Sequence, residues 1–100
     1  MGYDGMIVLG TGEIAGNASA TQMPSLICKL VNFKAQNGNA GDVYIGKTSG
    51  VTVAAGTEDT TTGFELAAGE ETGFIPCNNI NNFYRICDNA GDDLVYIAIG

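Results

Sequence analysis

The side chains able to do acid–base chemistry are unevenly supplied. The 100-residue chain has 11 Asp and Glu residues, four Lys and Arg residues and no histidine. Three carboxylate pairs stand out: Glu58–Asp59, Glu70–Glu71 and Asp92–Asp93. Paired carboxylates can divide acid and base roles between them when their surroundings differ. All three pairs sit in polar, turn-like sequence, where solvated loop charge is the expected reading. Without histidine the usual general base, the usual pH switch and the commonest metal ligand are missing. Cys–His nucleophilic catalysis is thereby excluded, and no motif suggests a serine activated by lysine. The chain reads as a non-enzyme with no catalytic residue.

Ligand chemistry is equally sparse. DNAGDD at 88–93 and TEDTTT at 57–62 are rich in oxygen, but neither follows the twelve-residue calcium loop with its terminal Glu. A weak structural calcium site in Asp88, Asp92 and Asp93 is the lesser reading, and no metal or cofactor is expected. The glycines follow no phosphate-binding or dinucleotide spacing and read as turn formers. Cys28, Cys77 and Cys87 form no CxxC motif, and their odd number leaves at least one thiol unpaired. They read as small buried hydrophobes in a reducing cytoplasm.

Charge narrows the partners further. Net charge is −7, and Lys29, Lys34, Lys47 and Arg85 are scattered. Nucleic-acid binding requires a basic patch that displaces phosphate counterions, so none is expected. Anionic membranes are disfavoured for the same reason. The run Met6-Ile7-Val8-Leu9 is too short to span a bilayer, and the start has no positive segment of a secretory signal.

The elements that must carry any surface are short strands. Gly is frequent, 15 residues in all, and turn residues separate brief apolar runs. Residues 1–24 read as an extended arm, with a short strand at Met6–Leu9. Residues 25–100 read as the domain. Its strands are SLICKLVNFKA, DVYIG, VTVAA, GFELAAG, TGFI, FYRIC and DLVYIAI, with one helical turn possible in CNNINN. Seven or eight strands at this spacing predict an all-β antiparallel sandwich or small barrel. The tetrapeptide NAGD occurs at 39–42 and again at 89–92, each time after an apolar strand. This repeat predicts two antiparallel hairpins facing each other across a sandwich.

Several strands are apolar on both faces. In LVYIAI, Leu94, Tyr96 and Ala98 oppose Val95, Ile97 and Ile99; in FYRIC, Phe83, Arg85 and Cys87 oppose Tyr84 and Ile86. Leu26, Cys28 and Leu30 likewise oppose Ile27, Val31 and Phe33. A two-layer fold has one interior, so the second face needs a cover: the 1–24 arm or another subunit. Assembly is the favoured reading, with Met6, Ile7, Val8, Leu9, Phe83, Tyr84 and Tyr96 as the expected interface.

The stretch from Cys28 to Ile99, with NAGDVYIG, VTVAAG, GFELAAGE and FYRICDNAGDDLVYIA, resembles small structural proteins of tailed-bacteriophage heads. The resemblance covers about three quarters of the chain and leaves out residues 1–24. It implies a jelly-roll-like sandwich that decorates or cements a capsid, as a homotrimer bound to the major capsid protein. It places the protein in the virion, assembled in the host cytoplasm, with interface residues in place of an active site. The three cysteines have no counterpart in that pattern. The competing reading is a receptor- or carbohydrate-binding module of a fibre or tail, against which stand the absence of Trp and the placement of Tyr44, Tyr84 and Tyr96 in strands.

Overall fold

A computed structural model describes residues 5–100. Among the described residues there are eight strands: β1 (Val8–Ile14), β2 (Thr21–Gln22), β3 (Leu30–Ala35), β4 (Val43–Gly46), β5 (Phe64–Leu66), β6 (Ile75–Pro76), β7 (Tyr84–Cys87) and β8 (Leu94–Ile99). They form two four-stranded sheets, β1-β8-β3-β6 and β2-β7-β4-β5, called A and B here, and every pairing is antiparallel.

The pairing has a simple logic. β1 pairs with β8, β2 with β7, β3 with β6 and β4 with β5. The chain is thus one long antiparallel ribbon, doubled back between β4 and β5. Successive rungs of the ribbon fall alternately in sheet A and sheet B. Two further pairings, β3 with β8 and β4 with β7, zip the rungs into sheets. That is jelly-roll topology, the architecture expected from the resemblance.

Alternation of side chains builds the core. In β3, Val31, Phe33 and Ala35 are buried while Leu30, Asn32 and Lys34 are half-exposed. The partners of the buried three across the ladder are Ala98, Tyr96 and Leu94, so all six face sheet B. From sheet B come Val43, Ile45, Leu66 and Cys87, and Phe83 meets Phe33 edge-to-face at 5.6 Å. Burying such aromatic and branched side chains contributes about 1.5–3 kcal/mol each.

Three expectations about the strands are corrected. First, the long strand from Ser25 begins only at Leu30, because the backbone bends at Lys29. The bend breaks side-chain parity, so Cys28 and Val31 are both buried and Ile27 is 76% exposed. Second, residues 51–55 form no strand, beyond an isolated bridge from Ala55 to Thr60. Thr21–Gln22 supplies the eighth strand instead. Third, the NAGD segments are not hairpins. Each crosses from one sheet to the other, 36–42 from β3 to β4 and 88–93 from β7 to β8. A two-residue hairpin turn keeps its strands paired, whereas these longer connections span the roughly 10 Å between layers.

The segment read as an arm, of which residues 1–4 lie outside the described residues, contributes an edge strand to each sheet. β1 runs along β8 and β2 along β7. Arg85 fastens this segment in place. Its guanidinium donates to the carbonyls of Ala15 (2.9 Å) and Gln22 (2.7 Å). CNNINN carries one 3-10 turn, Ile80–Asn82, capped by the Asn79 side chain, which accepts the Asn81 N–H.

Candidate docking surface

The two NAGD crossings close one end of the sandwich by binding each other. The Asp92 carboxylate, 2% exposed, accepts the N–H groups of Ala40 (3.0 Å) and Gly41 (3.1 Å) on one oxygen. Its other oxygen accepts the backbone N–H and side-chain amide of Asn89. Burial pushes the Asp92 carboxyl up, but the donors from Gly41, Asn89 and Ala40 outweigh it and hold the group below its ordinary value. Asn39 answers by bonding both the N–H and the carbonyl of Asp93. The carboxylates at 88–93 are therefore spent on backbone N–H groups: Asp93 accepts Gly16 and Asp88 accepts Asp42.

The other carboxylate pairs are similarly placed. Glu70 accepts the Ala67 N–H and Glu71 accepts the Asn32 amide. Glu58 and Asp59 lie in the turn closed by the Asp59 N–H to Gly56 carbonyl bond. A pair that sequence spacing does not reveal is Asp42 with Glu65. A hydrogen bond shared with Asp42, then burial, raises the Glu65 carboxyl. Among the described residues no group of three or more His, Cys, Asp or Glu could hold a metal ion.

The two outer faces differ. In sheet B, alternation turns Tyr44 away from the core, yet Tyr44 is only 2% exposed. The 47–63 segment covers it. Val51 is 5% exposed and sits where the Cβ of a residue larger than Gly46 would stand, 2.5 Å from the Val51 Cβ. Glycine at 63 likewise leaves room for both Tyr44 and Val51. Burial pushes the Tyr44 phenol up to about 12. At Tyr44 this second apolar face is thus covered by the chain itself, while Tyr84 and Ile86 on it stay half-buried.

Sheet A has no comparable cover. Val95 and Ile97 of β8 face outward, while Ile99, paired with Leu30 and Val8, is buried at 8% exposure. Val95 and Ile97 are half-buried, with Asn32, Lys34 and Glu71 beside them around a shallow concavity. At the end of this sheet Ile7 is 66%, Val8 57% and Leu9 39% exposed. Leu9 reaches Gly100, which lies against the backbone of Cys28 and Lys29, and Ile27, the residue before Cys28, is 76% exposed. β1 is also an edge strand, so one row of its backbone N–H and C=O groups has no ladder partner.

On the opposite side the sheets part. β5 and β6 have three and two residues, too short to close the edge. Between them runs a groove of about 750 Å³ lined by Ile45, Phe64, Ile75, Cys77 and Phe83, with polar groups from Thr62, Thr72 and Asn82.

Of the seven expected interface residues, Ile7, Val8 and Leu9 are exposed together and Met6 is half-buried beside them. Tyr84 lies half-buried on the outer face of sheet B. Phe83 and Tyr96 pack against the core, the Tyr96 ring lying over Gly10 and Gly12. Sequence reasoning missed Ile27 and Phe64 as exposed apolar residues. Strand parity carried through Lys29 puts Ile27 on one face with Val31 and Phe33, which the structure buries while it exposes Ile27. Comparison with family models, with curated proteins and with solved structures gave no match for this chain.

Proposed function

We propose that this chain is a non-enzymatic structural subunit of a tailed-bacteriophage head. It docks on copies of itself, as a trimer, and on the major capsid protein, and it works in the virion after assembly in the host cytoplasm. The observation that carries the reading is the run Ile7, Val8 and Leu9, all exposed where the edge strand β1 of sheet A begins. Scattered exposed apolar residues are ordinary, whereas three consecutive ones at the start of an edge strand point to an interaction site. The unpaired edge of β1 offers main-chain hydrogen bonds to an incoming strand, and the apolar side chains offer area. A stable interface removes about 1,200–2,000 Å² from water, and the β1 end with the outer face of β8 is the surface available for it.

The jelly roll supports this reading by analogy only, since the same fold serves capsids and lectins alike. The test is biochemical. Purified particles should contain the chain in fixed stoichiometry, and particles stripped of it should lose heat resistance. Particles devoid of the protein would end the proposal.

The groove favours a second reading, a receptor- or carbohydrate-binding module. Its volume falls in the range of ligand sites, and Phe64, 60% exposed, offers a ring face for stacking. A glycan array with a specific hit that Phe64→Ala abolishes would favour this reading over the first.

A further inference from the structure

The sequence treats the three cysteines as separate small hydrophobes. The fold brings two of them together. The Sγ atoms of Cys28 and Cys77 are 3.2 Å apart, although 49 positions separate the residues. Cys28 lies two positions before β3 and Cys77 immediately follows β6. Backbone bonds hold both in place: the Cys28 N–H donates to the Asn78 carbonyl at 3.2 Å, and the Cys77 N–H to the Lys29 carbonyl at 3.0 Å. Cys28 is buried, while Cys77 is partly exposed and lines the groove between the sheets. Cys87 is 1% exposed and lies at the opposite, NAGD end of the sandwich.

We propose that Cys28 and Cys77 are a disulfide-forming pair that staples the entry of β3 to the exit of β6, with a low-molecular-weight disulfide as the oxidant. A disulfide places its sulfurs about 2.05 Å apart, so the thiols need approach by only about 1.2 Å from their present 3.2 Å. The reaction is two successive exchanges. The Cys77 thiolate, reached through the groove, attacks one sulfur of the oxidant; a bond forms to that sulfur and one small thiolate leaves with the electron pair. The Cys28 thiolate then attacks Cys77 Sγ in the mixed disulfide, and the second small thiolate leaves. Two protein thiols are oxidised to one disulfide, one small disulfide is reduced to two thiols, and the two protein protons end on those leaving groups. Burial, then the contact with Cys28, pushes the Cys77 thiol up to about 12. Few thiolates exist at neutral pH, and the first exchange is therefore slow there.

The staple closes a long loop, spanning the 49 positions between the two cysteines, and long loops gain most from cross-linking. The test uses the full chain, reduced, then incubated with oxidised glutathione at about pH 9 to raise the thiolate fraction. Alkylation under denaturing conditions and mass spectrometry should show alkylatable thiols falling from three to one. A peptide linking Cys28 to Cys77 should appear, and Tm should rise by on the order of 10 °C and return with dithiothreitol. Cys77→Ser should abolish both the cross-link and the rise. Three thiols surviving the incubation would overturn the proposal, as would glutathione trapped on Cys77 or a cross-link through Cys87. The peptide map of the unmodified sequence decides between these outcomes even if a variant fails to fold.

Discussion

Asp92 and Gly41 belong to different copies of the same tetrapeptide, and the carboxylate of the first accepts the backbone N–H of the second at 3.1 Å. Identical sequences thus meet at one end of the sandwich with unequal duties. Asp92 is buried beneath four donors, while its counterpart Asp42 is half-exposed and donates its own N–H to Asp88.

Asp92→Asn should destabilise the fold by about 2–4 kcal/mol, because an amide presents N–H to donors that require an acceptor. The folded-state pKa of Asp92 lies below its unfolded value. Its contribution is therefore complete above about pH 5 and is lost as pH falls through the unfolded value of about 3.9 towards the folded one. Urea titrations across pH 2–7 should show a shallower acid loss in the variant. Parallel curves for the two proteins would contradict the role given to Asp92.

Gly46→Ala should lift the 47–63 segment from sheet B, since the new methyl would stand 2.5 Å from the Val51 Cβ. The Tyr44 phenol, held at about 12 mainly by burial, should then titrate closer to the ordinary value of about 10. In the parent chain the raised value means stability is whole below about pH 10 and is lost as pH climbs through about 12. Ultraviolet titration of the phenolates reads both effects; an unchanged Tyr44 in the variant would show that Val51 is not its cover.

Arg85→Met should cost about 2–4 kcal/mol by leaving the Ala15 and Gln22 carbonyls without their donor. Hydrogen exchange should quicken first in residues 15–22. Protection lost uniformly across both sheets would instead mean that Arg85 supports the whole core.

Much of this was legible in the sequence, and the failures have physical causes. Strand content and the two-faced character of β8 follow from alternation within one segment, which is local information. The parity error at Ile27 arose from a single bend at Lys29, which shifts every side chain before it to the other face. The NAGD repeat announced a shared conformation but not its partner, since pairing between β3 and β8 is set by contacts some sixty positions apart. The same holds for Cys28 with Cys77. Alternation shows that strands carry a second apolar face, yet at Tyr44 that face is hidden by the 47–63 segment, where the sequence predicts a strand at VTVAA and the structure packs Val51 against Gly46 and Gly63. The run Ile7, Val8 and Leu9 was readable as a candidate surface because it is an apolar stretch bounded by Gly5 and Gly10, and it lies at the exposed start of β1.

The account stands on the β1 end being a docking surface. Multi-angle light scattering over a range of concentrations tests it most directly, comparing the parent chain with the double variant Val8→Asp/Ile27→Asp. Both sites are more than half exposed, so the variant should keep its Tm within a few degrees. The parent should show a mass above that of one chain, approaching three, and the variant the mass of a single chain. A parent that stays monomeric at every concentration, or a variant that assembles as the parent does, would contradict the account.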